Sequence, residues 1–420
     1  MATKYWIGDE PAAAQISTGS IDSVDGTPAN NTFTVTVGDQ AISQAGSVDV
    51  ATTAAALVAL LNASTHIYFS VVTWTNPSAG NITGTADTAG VPFVAVLTET
   101  GAGTGAITDF AATTVSSGPG DWSTAGNWSD GSIPANSDTI IFANSTVSCV
   151  YGLAQSGVDL TALEIRQSYT GKIGLRRDAF AISADGATVN SASSEYRQDY
   201  LDIGSATIEI GEHAGAGAPA GSSRIKIDND SSSASTLIVH RTANQASEST
   251  LPAVRYKVAH ASSEVIVRTA IGGVGIAVDA PGEVSTVGTV RITDDSTSAR
   301  VTTGDGVTIT TWVQEGGVNV LRAAATVTTA TVNNGELDIE GPRLITTLNA
   351  NGGTVRANNV PAAGASITTA NITDATLDMS VSGEAQTVTT LNLTDSTLRA
   401  TSLVTLTTLV MDGTNTVRMR

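Results

Sequence analysis

Acidic side chains between residues 199 and 212 are the strongest candidates for chemistry in this sequence. Four carboxylates stand close together there, namely Asp199, Asp202, Glu209 and Glu212. Glycosidases use two carboxyl groups roughly 5–10 Å apart, and acids on neighbouring rungs of a stacked β fold can reach that separation. Tyr196 and Tyr200 stand beside them and offer rings for stacking on a sugar. The alternative is a set of solvated loop acids, which a chain of net charge −19 favours.

The histidines, serines and the single cysteine show no catalytic or metal-binding pattern. The four histidines are His66, His213, His240 and His260, and they lack the i, i+4 or H-x-H spacing of a metal site. A ligand set would have to assemble from distant positions. No G-x-S-x-G elbow is present, and Cys149 alone forms neither an intramolecular disulfide nor a cysteine-based zinc site. We predict no catalytic residue, no cofactor and no metal.

Two glycine-rich segments look like ligand-binding loops but lack the residue that would bind. In the segment 211–224, Ser222 stands where a phosphate-binding loop needs its lysine. In the segment 271–279, Ala277 stands where a calcium-binding nonapeptide needs an acid. Neither a nucleotide nor a calcium ion is therefore expected.

The charge balance argues against nucleic acid and membrane partners. The chain has 20 Lys and Arg against 39 Asp and Glu, so it repels phosphate backbones and anionic lipid surfaces. Its longest apolar run, Ala54–Leu61, is far shorter than the roughly 20 residues that cross a bilayer. The first residues, MATKYWIGDEPAAAQ, lack the apolar core of a signal peptide, which predicts synthesis in the cytoplasm.

An internal repeat is the main signal for the fold. Six segments with an aliphatic residue before a Thr-Thr pair begin at Ile309, Val327, Ile345, Ile367, Val388 and Leu406, spaced 18, 18, 22, 21 and 18 residues apart. A looser copy begins at Val287. Each copy alternates aliphatic and polar residues, reaches a turn and resumes with an aliphatic residue, as one rung of a β-solenoid requires. We predict a mainly β protein, a parallel β-helix with rungs of about 18–22 residues.

The repeat also predicts which side chains form the core. Leu348, Leu391 and Leu409 take the same position in their copies and should stack in one inward column. Upstream, the text DWSTAGNWSDGSIPANSDTIIF places Trp122 and Trp128 just before a strand, where they should cover the open end of the stack. The alternative for this tryptophan pair is a platform for a sugar.

Residues 15–115 have a different pattern, typical of a small α+β module. Strands are predicted at Thr32–Val37, Phe69–Thr75 and Val91–Thr98. A helix is predicted through AAALVALLNAS, with Thr52 or Thr53 as N-cap. Glycine-rich segments near 101–105 and 116–120 follow the module and are interpreted as linkers.

The predicted organisation has five parts. They are an N-terminal arm (1–14), an attachment module (15–115), a linker with the tryptophan-containing start of the solenoid (116–150), an irregular solenoid (151–286) and a regular Thr-rich solenoid (287–420). The repeat text continues to Val417 without a capping segment. A bare last rung would expose backbone groups and apolar side chains, so we expect another copy or another protein to cover it.

The opening MATKYWIGDEP, the stretch TWTNPSAGNITGTADTAGVPF and the DWSTAGNWSDGSIPANSDT text, followed by a Thr-rich solenoid, resemble bacteriophage virion structural proteins. The resemblance implies a non-enzymatic capsid decoration or fibre-like protein, located in the virion and bound to other capsid or tail proteins and to copies of itself. Alternatives are a receptor-binding tailspike acting on host polysaccharide and a cell-surface adhesin. No aromatic residue follows Trp312, which makes the regular solenoid a poor sugar groove.

Overall fold

The computed structural model describes residues 2–25, 30–38, 40–103, 105–174, 200–212, 221–244, 252–278, 282–293, 299–340, 344–357, 366–380 and 385–419. The chain is mainly β, with 57% strand and 6% helix, and it forms a parallel β-solenoid of about 10 turns beside a small β-rich module. The predicted fold class is therefore confirmed. Asp199, Tyr196 and His213 lie outside the described residues.

The N-terminus belongs to the solenoid rather than to a separate arm. Strand β1 (Thr3–Tyr5) pairs in parallel with β9 (Thr139–Phe142), with Lys4 opposite Ile140. Lys4 is buried and its ammonium contacts Asp138 at 3.5 Å. The prediction of a separate arm over 1–14 is therefore wrong for its first residues, which form a strand of the solenoid. The module from residue 15 onward is an insertion into the first turn of the solenoid. Alternation over so short a strand gives no signal for this long-range pairing.

The inserted module consists of two antiparallel sheets and two helices around its own apolar core. Its elements are β2 (Ile16–Ser23), β3 (Asn31–Val37), β4 (Gln40–Ala45), α1 (Val50–Ala63), α2 (Ile67–Ser70), β5 (Val72–Thr75), β6 (Asn81–Ala86), β7 (Ala95–Gly101) and β8 (Ala106–Thr114). The strand orders are β5-β6-β2-β8 and β4-β3-β7. None of the helices in the described ranges is long and apolar enough to cross a membrane.

Two local predictions for the module need correction. Helix α1 begins after Asp49, whose carboxylate accepts a hydrogen bond from the Thr52 amide at 2.6 Å, so Asp49 and not Thr52 or Thr53 is the N-cap. The predicted strand over Phe69–Thr75 is divided between α2 and β5. His66 caps α2 through its Nδ1 atom and thereby turns the chain before the strand begins.

The solenoid strands stack so that each strand pairs with the equivalent strand of the next turn. The strands after β9 are β10 (Ala154–Ile165), β11 (Leu201–Ile210), β12 (Ile225–Asn229), β13 (Thr236–Arg241), β14 (Val254–Thr269), β15 (Val274–Ile276), β16 (Val284–Ile292), β17 (Val301–Thr303), β18 (Gly306–Gln314), β19 (Val318–Leu321), β20 (Val327–Val332), β21 (Glu336–Ile339), β22 (Leu344–Ala350), β23 (Thr354–Ala357), β24 (Ser366–Thr373), β25 (Thr376–Met379), β26 (Gln386–Thr394), β27 (Thr397–Ala400), β28 (Val404–Asp412) and β29 (Thr416–Met419). In the regular half, a long and a short strand make each turn.

One inward column runs through the whole solenoid. Its members, in register from turn to turn, are Ile140, Leu163, Ile208, Leu237, Val265, Val290, Trp312, Ala330, Leu348, Ala370, Leu391 and Leu409. Leu348 and Leu391 are fully buried, whereas Leu409 is 40% exposed. Leu409 therefore lies in the predicted column but at its end, because it is in the last turn.

At each Thr-Thr pair, the alternation of inward and outward side chains along the long strand is interrupted. Thr389 and Thr390 both point away from the core, between the buried side chains of Val388 and Leu391. Val388 pairs with Leu406, and Thr390 pairs with Thr408. Residues that align between repeats in the sequence are thus the residues that pair between neighbouring strands in the sheets.

An aromatic plug closes the N-terminal end of this core. Trp6, Trp122, Trp128 and Phe142 pack together there, and all four side chains are buried. The rings of Trp122 and Trp128 meet edge-to-face, with their centroids 4.7 Å apart. Burial leaves neither tryptophan a free face for a sugar, so the structure favours the covering role over the sugar platform.

Candidate functional site

The structure brings Glu209 and Glu212 together with His240 on the outer surface of the irregular solenoid. One side-chain atom from each residue lies within 4.8 Å of the other two. Glu209 is on β11 and pairs in register with Ile238 of β13, which places His240 on the same outward side two residues further along. Gly211, with φ +80°, turns the chain between the two glutamates. We call these three side chains the carboxylate–imidazole cluster.

The imidazole of His240 sits between these carboxylates and an arginine. Its Nε2 atom is buried and lies close to the carboxylate of Glu212 and 3.4 Å from that of Glu209, without the alignment of a regular hydrogen bond. Its Nδ1 atom lies 3.1 Å from a guanidinium nitrogen of Arg268. Because a guanidinium can only donate, Nδ1 accepts, and the ring proton of a neutral imidazole is placed on Nε2, facing the carboxylates.

This proton arrangement bears on metal binding. Two carboxylates and an imidazole are a suitable donor set for a divalent cation. An imidazole that binds a metal through Nε2 usually donates its Nδ1 proton to a carboxylate or a carbonyl group. Here Nδ1 faces Arg268, which cannot accept that proton. The cluster is therefore better suited to sharing a proton than to holding a metal ion.

The direction of the pKa shift of Glu209 points the same way. Burial raises the pKa of Glu209, and the hydrogen bond and negative charge of Glu212 raise it further, while His240 acts in the opposite direction. A raised pKa favours retention of a proton between two carboxylates in contact. The cluster thus joins two turns of the solenoid through contacts between ionisable side chains.

The other candidate acid, Asp202, belongs to a different face. It pairs in register with Asp228, whose carboxylate contacts the ammonium of Lys257 at 2.5 Å. Burial raises the pKa of Asp202, as do the charges of Asp230 and Asp228. The three candidate acids among the described residues, Asp202, Glu209 and Glu212, are therefore divided between two clusters rather than gathered in one cleft.

The tyrosines that the structure describes in this region offer little to a sugar. Tyr169 and Tyr256 are buried in the core. The ring of Tyr200 has the ammonium groups of Lys226 and Lys257 over it, 4.5 Å and 4.4 Å from its centroid. Its aromatic face is thus used within the protein.

Further charge pairs join neighbouring turns along the solenoid. The pairs are Arg291 with Glu264, Arg322 with Glu340, Arg356 with Glu336, and Arg399 with Asp378. An asparagine ladder runs beside them, in which Asn371 donates to Asn349 at 2.9 Å and Asn392 donates to Asn371 at 2.8 Å. These groups act between turns, and the carboxylate–imidazole cluster is one more such connection.

The spacing of the histidines predicted no role for His240, although the alignment of two strands indicates one. Aligning the segment TIEIGE, from Thr207, with TLIVHR, from Thr236, reproduces the observed register and brings His240 opposite the turn between the glutamates. The spacing of histidines within the chain could not show this contact, because the residues of the cluster come from different turns.

Ionisation of Glu209 in the carboxylate–imidazole cluster is expected to lower the stability of the fold as the pH rises. Glu209 has a higher pKa in the folded chain than in the unfolded chain, so it favours folding most below the ordinary glutamate pKa of about 4.3, and this contribution is lost as the pH rises through the raised value. We expect Glu209→Gln to raise the Tm at neutral pH by about 1–3 °C, and to change it less near pH 4, since such electrostatic effects stay below about 1 kcal/mol.

Thermal unfolding followed by circular dichroism at both pH values checks this expectation. The matched control is Glu264→Gln, which removes an acid paired with Arg291 at 3.2 Å and should not raise the Tm. A lower Tm for Glu209→Gln at neutral pH would show that the ionised carboxylate stabilises the fold.

The fold and this surface define the class of the protein as a parallel β-solenoid with an inserted α+β module and polar connections between its turns. No protein-family model, curated protein or solved structure matches the chain.

Proposed function

We propose that the chain is a non-enzymatic structural subunit of a bacteriophage particle, either a capsid decoration or a fibre-like protein, made in the host cytoplasm and carried on the virion. The observation that supports a structural role is the unbroken inward column from Ile140 to Leu409. About 10 turns at roughly 4.8 Å each give a stiff body of about 50 Å. The assignment to a phage rests on the resemblance of the sequence stretches given above.

The surface chemistry supports the same role. Each charge pair between turns, such as Arg399 with Asp378, links strands that would have to separate if the solenoid opened. Individual exposed pairs contribute less than about 1 kcal/mol, but their repetition from turn to turn adds up along the rod. Groups engaged in this way hold the rod together rather than act on a substrate.

The polysaccharide-processing tailspike has weaker support. The close pair Glu209 and Glu212 is its best observation, because retaining glycosidases hold two carboxyl groups roughly 5 Å apart. However, His240 occupies the space beside them, and Asp202 lies on another face. A cell-surface adhesin would use the same rod without a catalytic pair, and no described side chain favours it over a particle component.

The proposed function predicts a fixed place in the particle. In virions purified from the phage that encodes this chain, we expect it to sediment with the particles and to keep a constant ratio to the major capsid protein in quantitative mass spectrometry. Immunogold labelling would then show whether it lies on the capsid or on a fibre. Recovery of the chain only in the soluble fraction of the lysate would contradict the proposal.

A further inference from the structure

The C-terminal turn presents an open apolar end. Its inward side chains Leu409, Met411 and Met419 are 40%, 56% and 58% exposed, although their equivalents one turn earlier, such as Leu391, are fully buried. Among the residues that the structure describes, β28 pairs in register with β26 alone and β29 with β27 alone, so the outer edge of each strand is unpaired. Both the apolar core and the backbone hydrogen-bonding groups are therefore exposed at this end.

The opposite end of the solenoid is closed. The backbone of Tyr5 and Ile7 bonds to Ser129 and Asn127, so a loop covers the outer side of the first strand. The aromatic plug seals the core behind this loop. A second copy consequently cannot stack its C-terminal turn onto this N-terminal end, which excludes a head-to-tail filament through the solenoid axis.

Charge also distinguishes the open end from the rest of the chain. Residues 404–419 contain one acid, Asp412, and one base, Arg418, while the whole chain has a net charge of −19. Two copies that meet at this turn therefore bring together neutral surfaces and keep their acidic bodies apart. Elsewhere, the acidic surface opposes association of two identical copies.

The edge geometry restricts how two copies can meet. A strand edge that pairs with the same edge of an identical chain does so in an antiparallel arrangement about a two-fold axis, so that every contact between two different side chains occurs twice. Methionine at two of these positions suits such a contact, because its flexible side chain fills irregular gaps.

We propose that two copies of this chain associate C-terminal turn to C-terminal turn, through β28 and β29, about a two-fold axis perpendicular to the solenoid. The dimer is a rod of twice the length with one inserted module at each far end. This inference deepens the proposed structural role by naming the partner at one end of the rod. It does not depend on the phage assignment.

Sedimentation velocity of the full-length chain tests the association. We expect a species of about 85 kDa, twice the 42.4 kDa of one chain, that dissociates on dilution. Met411→Glu and Met419→Glu should each weaken the dimer at least about tenfold by placing a charge in the apolar contact. The matched control is Val284→Glu, which changes a 76% exposed valine on β16, far from this end, and should leave the dimer intact.

Two further measurements keep the test decisive. Circular dichroism and thermal melting must show that the Met419→Glu chain is folded, since its side chain is largely exposed in the single copy. Backbone amides at the open edges of β28 and β29 should exchange hydrogen more slowly in the dimer than in the diluted monomer, whereas those of β16 should not change.

Several results would overturn the proposed dimer. A chain that remains monomeric at all accessible concentrations, or that forms a trimer, overturns the inference. So does a dimer that Met411→Glu and Met419→Glu leave unchanged, or one in which electron microscopy shows both modules at the same end. A monomer that still sediments with virions would overturn only this inference and leave the proposed function standing.

Discussion

Replacing Leu391 with aspartate is expected to prevent the C-terminal turns from stacking. Leu391 is fully buried and lies in the inward column between Ala370 and Leu409. Removing a buried leucine side chain costs about 2–5 kcal/mol, and an unpaired carboxylate in an apolar column adds several more. Because each turn is held mainly by its neighbours, the turns beyond this position should open together.

Limited proteolysis and hydrogen exchange measure this effect directly. Peptides from the last turns should lose protection in Leu391→Asp, while the module around α1 keeps its protection because it has a separate core. The control is Thr389→Asp, two residues away on the same strand, whose side chain is exposed and should tolerate the charge. A Leu391→Asp chain that melts like the wild type would show that the assigned register is wrong.

Replacing Trp6 with alanine is expected to open the other end of the solenoid. The Trp6 ring packs against Trp128 and Phe142, with centroids 5.1 Å and 5.5 Å away. Its Nε1 atom donates to the carbonyl oxygen of Val147 at 3.0 Å. Loss of a buried tryptophan costs about 3–5 kcal/mol, and the carbonyl oxygen of Val147 loses one of its two hydrogen bonds, keeping the one from the Tyr169 hydroxyl.

Chemical unfolding followed by tryptophan fluorescence tests this second expectation, with the signals of Trp122 and Trp128 as reporters of the plug. The matched control is Tyr5→Ala, which removes a neighbouring aromatic ring that is exposed to solvent. We expect the control to stay close to the wild type. An equal loss in both variants would mean that the β1 backbone, and not the tryptophan ring, closes the end.

The sequence predicted the buried position of Leu391 but not that of Trp6. The repeat placed Leu391 directly, because a strand alternates between a buried and an exposed face and equal positions in stacked copies share a column. The sequence did not indicate that Trp6 joins Trp122 and Trp128. The intervening insertion separates them by more than a hundred residues, and no periodic pattern connects them.

Gln314 shows a similar limit within the repeat. Alternation places it inward, between Ile292 and Val332, where an apolar residue would be expected. The structure shows how its burial is compensated, since its amide donates to the backbone oxygens of Asn334 and Glu336 at 3.2 Å and 3.1 Å. A buried polar group is tolerated when its hydrogen bonds are made, and those partners come from the next turn.

The mainly β class, the solenoid period and the inward column could all be predicted from the amino-acid pattern, because they follow from local alternation repeated at a nearly constant spacing. The pairing of β1 with β9, the packing of Trp6 in the aromatic plug and the hydrogen bonds of the buried Gln314 amide appear only in the tertiary structure. Each of these depends on which turn stacks on which. That choice is set by contacts between distant segments, for which the alternation of a single strand carries no information.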